Sequence, residues 1–304
     1  MNDAVSKNYK VGFLVTFIGV ILFSSKAIFV KLAFTATNTD AITLLTLRMV
    51  FALPFYLAIA FLYSSKDSNI KFTKKQWIVV IVMGLTGYYL SSLFDFMGLQ
   101  YISAGLERLI LFLYPTFAVL LNAAVFKQQI SKMQKLALTL TYIGIGIAFF
   151  GELKLDANNS NFLLGSFLVF LCALTFSVYL VGSGKLIPMV GATKFTAYAM
   201  IAASVGVILH YFITGNQIHH FETTLLHYGI LLAIIATVIP TFLISNGLKK
   251  IGSNNVAIIS SVGPVSTIIQ AHFILGEPLT VTQISGTILV IAGVLLTGWR
   301  NRDI

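Results

Sequence analysis

Charge is what this sequence has least of, and acidic charge least of all. Asp and Glu number 10 in 304 residues, Lys and Arg 20, and together they make up only 10% of the chain. With 57% hydrophobic residues, a soluble domain could not cover its surface with polar side chains. Cysteine is missing except for Cys172, which excludes an internal disulfide and leaves the redox compartment unread. The phosphate-cradling pattern GxxxxGK[ST] does not occur, so ATP hydrolysis is not expected. A GxSxG elbow and an HExxH metal pair are missing too, which argues against a membrane-embedded enzyme. Gly182-Ser183-Gly184 is too short to stand for either. Nothing implies a cofactor or a resident metal.

What the chain does have is long apolar runs. A helix needs roughly 20 mostly apolar residues to cross the hydrocarbon, and ten such spans can be read. They are Val11 to Ala33, Ala41 to Tyr63, Trp77 to Met97, Ser103 to Phe126, Met133 to Phe150, Phe162 to Leu186, Lys194 to Ile213, Leu225 to Leu248, Asn254 to Leu275 and Thr280 to Trp299. The first run comes after Lys7 and Lys10, continues past signal-peptide length and shows no convincing cleavage site, so it reads as a retained helix. The net charge of +10 does not point to nucleic acid, because the cations sit in short loops between spans. Fifteen Lys and Arg fall in the loops of one side and only Lys154 in those of the other. The positive-inside rule then places both termini in the cytoplasm, in agreement with an even span count.

The chain also matches itself. Gly98 to Phe150 aligns without a gap on Gly247 to Trp299 at an offset of 149. Gly98 pairs with Gly247, Ile110 with Ile259, Pro115 with Pro264, Gln134 with Gln283 and Gly144 with Gly293. At the front, Gly12, Phe17, Phe23 and Ser24 recur as Gly165, Phe170, Phe176 and Ser177, at an offset of 153. The expected fold is therefore an all-α integral membrane protein of two five-helix repeats, 1–151 and 152–304. An odd number of spans per repeat makes the second enter the membrane inverted, and such repeats with interrupted helices suggest a transporter.

These features resemble the EamA family of the drug/metabolite transporter superfamily, over essentially the whole chain. The likeness rests on the 5+5 arrangement and on two stretches, GLQYISAGLERLILFLYPTFAVLL (Gly98 to Leu121) and GLKKIGSNNVAIISSVGPVSTIIQAHFILGEPLT (Gly247 to Thr280). The second contains the Gly276-Glu277-Pro278 turn. The first copy departs from the pattern, with Lys127-Gln128-Gln129 where the family often repeats a Gly-Glu turn, and helix 1 carries Phe23-Ser24-Ser25-Lys26 in place of an aromatic and glycine cluster. The resemblance implies export or exchange of small metabolites, amino acids among them, with no single substrate signature.

Charges at membrane depth are costly unless paired or wetted. Lys26 lies mid-span and shares a face with Gly12 and Gly19, spaced by seven; it either lines a pathway or glues helices by pairing with a carboxylate. Arg48, Asp95, Glu107 and Arg108 lie toward one end of their spans. Glu107 and Arg108 point roughly 100° apart, so only one can face a cavity squarely. Arg48 with Glu107 and Arg108 with Asp95 are the expected pairs, either as a structural cluster or as a site whose free guanidinium donors take a substrate carboxylate. Pro115 and Pro264 should each break a span and free a carbonyl one turn earlier, near Leu111 and Ser260, beside the substrate path. Tyr114 and Gln270 are further pathway candidates. Tyr88, Tyr89, Asn122, Tyr179 and Asn246 are weaker ones. His219, His220, Glu222 and His227 cluster in a loop that is more readily a solvated loop than a metal site, and His272 could titrate near neutrality or cap the bundle.

The function expected is secondary transport, as an exporter of small anionic or zwitterionic metabolites in a bacterial inner membrane. Protons or a counter-substrate would supply the energy, and a homodimer is possible for such a chain. A flippase of lipid-linked intermediates is the alternative within the same fold.

Overall fold

A computed structural model describes residues 2–65, 71–127, 129–130, 132–155, 158–184, 186–215 and 221–299. They form fifteen α-helices: α1 Asn2–Ser24, α2 Lys26–Thr37, α3 Ala41–Ser64, α4 Lys74–Gly84, α5 Ser91–Leu99, α6 Ala104–Leu111, α7 Tyr114–Phe126, α8 Lys132–Leu155, α9 Phe162–Ser183, α10 Ile187–Val190, α11 Ala192–Ile213, α12 Thr223–Ala233, α13 Ile239–Ser260, α14 Val262–Gln270 and α15 Val281–Trp299. Three π-helical turns, Leu85–Leu90, Ile234–Val238 and Ala271–Leu275, interrupt or extend them. Side-chain caps set several starts. Asp40 accepts from the Thr43 amide at 2.8 Å, and Thr73 with Gln76 forms a reciprocal capping box, each satisfying amides that a helix start leaves unpaired.

Eight helical stretches among the described residues are long and apolar enough to cross a membrane, and there are two shorter apolar helices, Val262–Leu275 and Val281–Leu296, after them. The expected first span lies within one apolar helical stretch, Tyr9–Thr37, interrupted only at Ser25, where α1 ends at Ser24 and α2 begins at Lys26. The Ser25 hydroxyl turns back to the Leu22 carbonyl at 2.6 Å, a local bond that competes with the regular ladder. The expected loop between Leu248 and Asn254 is helical, because α13 runs through it. Both α13 and α14 pack on α1. Gly19 lies against Leu243 and Ile244, and Gly12 against Lys250 and Ile251, while Ser24 donates to the Gly263 carbonyl. α13 therefore runs antiparallel to α1 over Leu243 to Ile251. His219 and His220 lie outside the described residues.

The two interruptions expected from proline are present. The fourth apolar stretch breaks at Phe112 and Leu113 between α6 and α7, and the ninth breaks at Ser261 between α13 and α14. Leu111 and Ser260 are the last residues before each break and stand 149 apart. The π-helical turns that begin at Leu85 and Ile234 are separated by the same 149. Packing repeats the scheme: α1 lies along α13 as α5 lies along α9, and α3 pairs with α11 and α8 with α15. Small residues permit the α8–α15 contact. A Cβ on Gly144 would stand 2.6 Å from the Gly286 carbonyl oxygen, and one on Gly286 would stand 2.5 Å from that of Gly144. Side chains larger than hydrogen would push these backbones apart.

Candidate functional site

A cavity of about 400 Å³ opens between the helices, bordered by α1, α2, α3, α5, α6, α7, α9, α11, α13 and α14. Lys26, Arg48, Asp95, Arg108 and Tyr114 all reach it. The π-helical turns shape it. A wider turn inserts a residue and redirects the helix beyond it; the turn at Leu85–Leu90 presents Gly87 and Tyr88 to the cavity, and the turn at Ile234–Val238 presents Thr237. The Thr237 hydroxyl bonds to the Leu232 carbonyl five residues back, at 2.8 Å.

The charges do not pair as expected. Lys26 Nζ contacts Asp95 Oδ2 at 2.5 Å and lies 4.0 Å from Glu107 Oε1. Among the described residues no carboxylate stands within ion-pair distance of Arg48 or Arg108, which overturns the pairs Arg48–Glu107 and Arg108–Asp95. Hydroxyls take the place of carboxylates. Arg48 donates from Nε to Thr237 Oγ1 at 2.8 Å and from Nη1 to Ser92 Oγ at 3.3 Å. Arg108 donates from Nε to Thr267 Oγ1 at 2.9 Å and from Nη2 to the Phe23 carbonyl at 3.4 Å. Thr267 donates its own proton to the Ser24 carbonyl at 3.2 Å, so its lone pairs are turned toward the arginine. The guanidinium carbons lie over rings, Arg48 on Phe96 at 5.5 Å and Arg108 on Phe23 at 5.7 Å, where the ring face attracts a cation.

Helix geometry explains the division of labour on α6. Arg108 lines the cavity, while its neighbour Glu107 points to Asp95 and Lys26, behind the cavity wall. Gly12 and Gly19, on the face shared with Lys26, receive α13 at close range rather than lining a pathway. Pro115 lies in the first turn of α7 and Pro264 is buried in α14. Neither ring borders the cavity, although Tyr114 and Gly263 beside them do. Gln270 is turned aside, its amide donating to Ser266 Oγ at 2.9 Å and to the Ile21 carbonyl. Tyr88 meets Tyr179 through their hydroxyls at 3.0 Å. Thr237, Thr267, Ser92 and Thr241 escape a reading of the sequence, since single hydroxyls in apolar spans carry no spacing signal.

A seam joins two segments distant in sequence. The Glu277 carboxylate accepts from the Ala104 amide at 2.8 Å and the Gly105 amide at 3.2 Å, where a helix start offers unpaired amides and a positive dipole end. Glu277 also lines a second cavity of about 450 Å³, with Lys31, Thr35, Glu152 and Gln283 among others.

The model of the EamA-like transporter family matches the chain twice, over residues 10–150 and 163–299. This chain belongs to the EamA-like transporter family. It is 30% identical to the uncharacterized transporter YcbK of Bacillus subtilis over 281 residues, 90% of this chain and 88% of that protein. An uncharacterized transporter of Archaeoglobus fulgidus is 24% identical over 283 residues, 91% of this chain and 94% of its own. A solved crystal structure superposes with a TM-score of 0.65 at 16% identity, covering 96% of this chain and 98% of that one, a likeness of fold. An EamA-like membership, together with the apolar helices, makes the protein a multi-pass integral membrane protein of a transporter family, and the relatives' names describe transporters rather than enzymes.

Proposed function

We propose that the chain is a ten-span secondary transporter built from two inverted repeats, 1–151 and 152–304, with both termini in the cytoplasm of a bacterial cell. It exports small anionic or zwitterionic metabolites by alternating access, and the acid group of the substrate is held by Arg48 and Arg108. The observation that carries this reading is the state of the two arginines. Both are buried at one cavity, each is oriented through Nε by a threonine hydroxyl, and neither has a carboxylate partner among the described residues. Arg48 Nη2 and Arg108 Nη1 are left for a ligand, and a carboxylate or phosphate satisfies such donors in a fork. Cations at this depth are stable only when paired or wetted, so an acidic substrate completes the site. The repeated breaks and π-helical turns support the inverted-repeat reading, since in such folds interrupted helices flank the substrate.

The test is uptake into proteoliposomes of three radiolabelled probes: a mixture of L-amino acids, succinate and choline. Transport of an acid-bearing probe that is lost in Arg48→Gln and Arg108→Gln supports the reading. Transport confined to choline overturns it. For orientation, a cysteine replacing Asn161 should be labelled only from outside cells and one replacing Lys74 only from the cytoplasm. Labelling of both from one side would defeat the inverted repeat.

A further inference from the structure

Asp95 and Glu107 form a buried carboxyl pair that the arginines and their hydroxyl partners leave incomplete. Both side chains are fully buried, and none of their four oxygens receives a hydrogen bond among the described residues. Both carboxyl groups nevertheless gather at the same ammonium, which brings them close to each other. One ammonium serves both: Lys26 contacts Asp95 at 2.5 Å and stands at 4.0 Å from Glu107, without hydrogen-bond geometry to either.

A carboxylate has acceptors only, and a carboxylic acid adds a donor. Two ionised carboxylates in contact would set like charges together in a dry site, at high cost. One proton shared between them supplies the missing donor, leaves a single negative charge opposite Lys26 and satisfies the pair. The charged and titratable groups that face it are Lys26 from α2, Arg48 from α3, Arg108 from α6, and Cys172 from α9, which meets Ser91.

Asp95 and Lys26 border the cavity while Glu107 does not, so the pair communicates with the substrate space through Asp95. We propose that Asp95 and Glu107 bind one proton that the transporter exchanges for the ammonium group of a zwitterionic substrate. This rests on the reading that Arg48 and Arg108 hold the substrate's acid group. With the acid group there, a substrate ammonium approaches Asp95 and supplies the positive charge and donors that the proton supplied before. The proton leaves to water in the cavity, no covalent bond to carbon is altered, and ammonium and proton become alternatives at one site. Substrate and proton then weaken each other's binding by the same factor, as linkage requires, which is the condition for exchange of one for the other.

The first measurement needs no substrate. Infrared spectra of the protein in lipid nanodiscs should show a protonated carboxylic C=O band at neutral pH, shifted by deuteration and lost in both Glu107→Gln and Asp95→Asn. A band that persists in both variants, or that is missing from the wild type, overturns the proton site whatever the substrate is. The second is transport of the L-amino-acid mixture into proteoliposomes with the membrane potential clamped. A gradient of one pH unit should sustain about tenfold accumulation in a one-for-one exchange. Asp95→Asn and Glu107→Gln should lose the gradient-driven accumulation. Accumulation that tracks the gradient unchanged in these variants overturns the exchange. If the infrared band behaves as expected and no amino acid enters under any condition, the exchange is also wrong, and the fault lies in the substrate assigned to the arginines rather than in the proton site.

Discussion

Arg48 and Thr237, 189 residues apart in sequence, meet at 2.8 Å between Nε and Oγ1. The bond fixes a guanidinium to a π-helical turn, and that turn alone gives Thr237 its hydroxyl bond to Leu232. Position of the arginine and shape of the helix are thus one device. Thr237→Val keeps the volume and removes the acceptor. A hydrogen bond to a charged group contributes about 1.5–3 kcal/mol, so the apparent substrate affinity should fall roughly tenfold or more, while Thr237→Ser should restore it. Proteoliposome kinetics compare the three proteins. Equal affinities would remove Thr237 from the site.

Lys26 is held by Asp95, so its loss has a different consequence from the loss of a wetted pathway lysine. Lys26→Ala leaves two buried carboxyl groups without a cation. Removing one partner of a buried pair costs about 3–5 kcal/mol, and the folded yield and thermal midpoint should both drop. The double variant Lys26→Ala with Asp95→Asn should recover part of the loss. A single variant as stable as the wild type in detergent would show that the contact has no structural weight.

The seam at Ala104 and Gly105 should respond to Glu277 alone. Glu277→Gln retains the shape but weakens the hold on two amides, and Glu277→Ala removes it. Loss of a helix-start cap costs about 0.5–2 kcal/mol. If the seam limits access to the cavity wall, a cysteine placed at Ser92 should be labelled faster from the side of Glu277 in both variants, most in Glu277→Ala. Unchanged rates would mean that the carboxylate does not limit access.

Two glycines one turn-fraction apart on α8 should behave oppositely. Gly144→Leu drives a side chain into the α15 backbone, and overpacking of this kind costs about 1–3 kcal/mol. A Cβ at Gly146 would meet no atom of another element within 4 Å, so Gly146→Leu should leave the thermal midpoint unchanged or raise it. Equal destabilisation by both would contradict the α8–α15 contact.

Much of the architecture was legible because it depends on backbone chemistry that the sequence states outright. A mid-span proline removes a hydrogen bond wherever it stands, and the breaks after Leu111 and Ser260 fall where Pro115 and Pro264 put them. The break at Ser25 has no proline and was not legible. The charge pairing failed for another reason. Depth along a helix can be read from sequence, but which neighbour a side chain meets depends on rotation and on which helices adjoin. Lys26, Asp95, Glu107, Arg48 and Arg108 were all identified as intramembrane charges, and their partners were misassigned because two threonines could do what carboxylates were expected to do. Hydroxyls that serve as acceptors look like ordinary apolar-span residues until the fold brings an arginine to them.

The cavity wall is built from matching positions of the two halves with unmatched chemistry. Tyr88 stands opposite Thr237 in the numbering offset of 149, Ser92 opposite Thr241, Asp95 opposite Ile244, and Tyr114 opposite Gly263, and all eight border the same space. Among the described residues, the charged side chains on that wall, Lys26, Arg48, Asp95 and Arg108, all belong to the first half. The second half contributes hydroxyls, a thiol, apolar side chains and bare backbone. A substitution on that neutral wall changes shape and hydrogen bonding without moving a charge, so it can retune which molecule fits while the electrostatic core stays intact. The duplicated frame thus separates two properties that a single binding surface would have to change together: how strongly the site attracts an ionic group, and which molecular body is allowed to carry that group in.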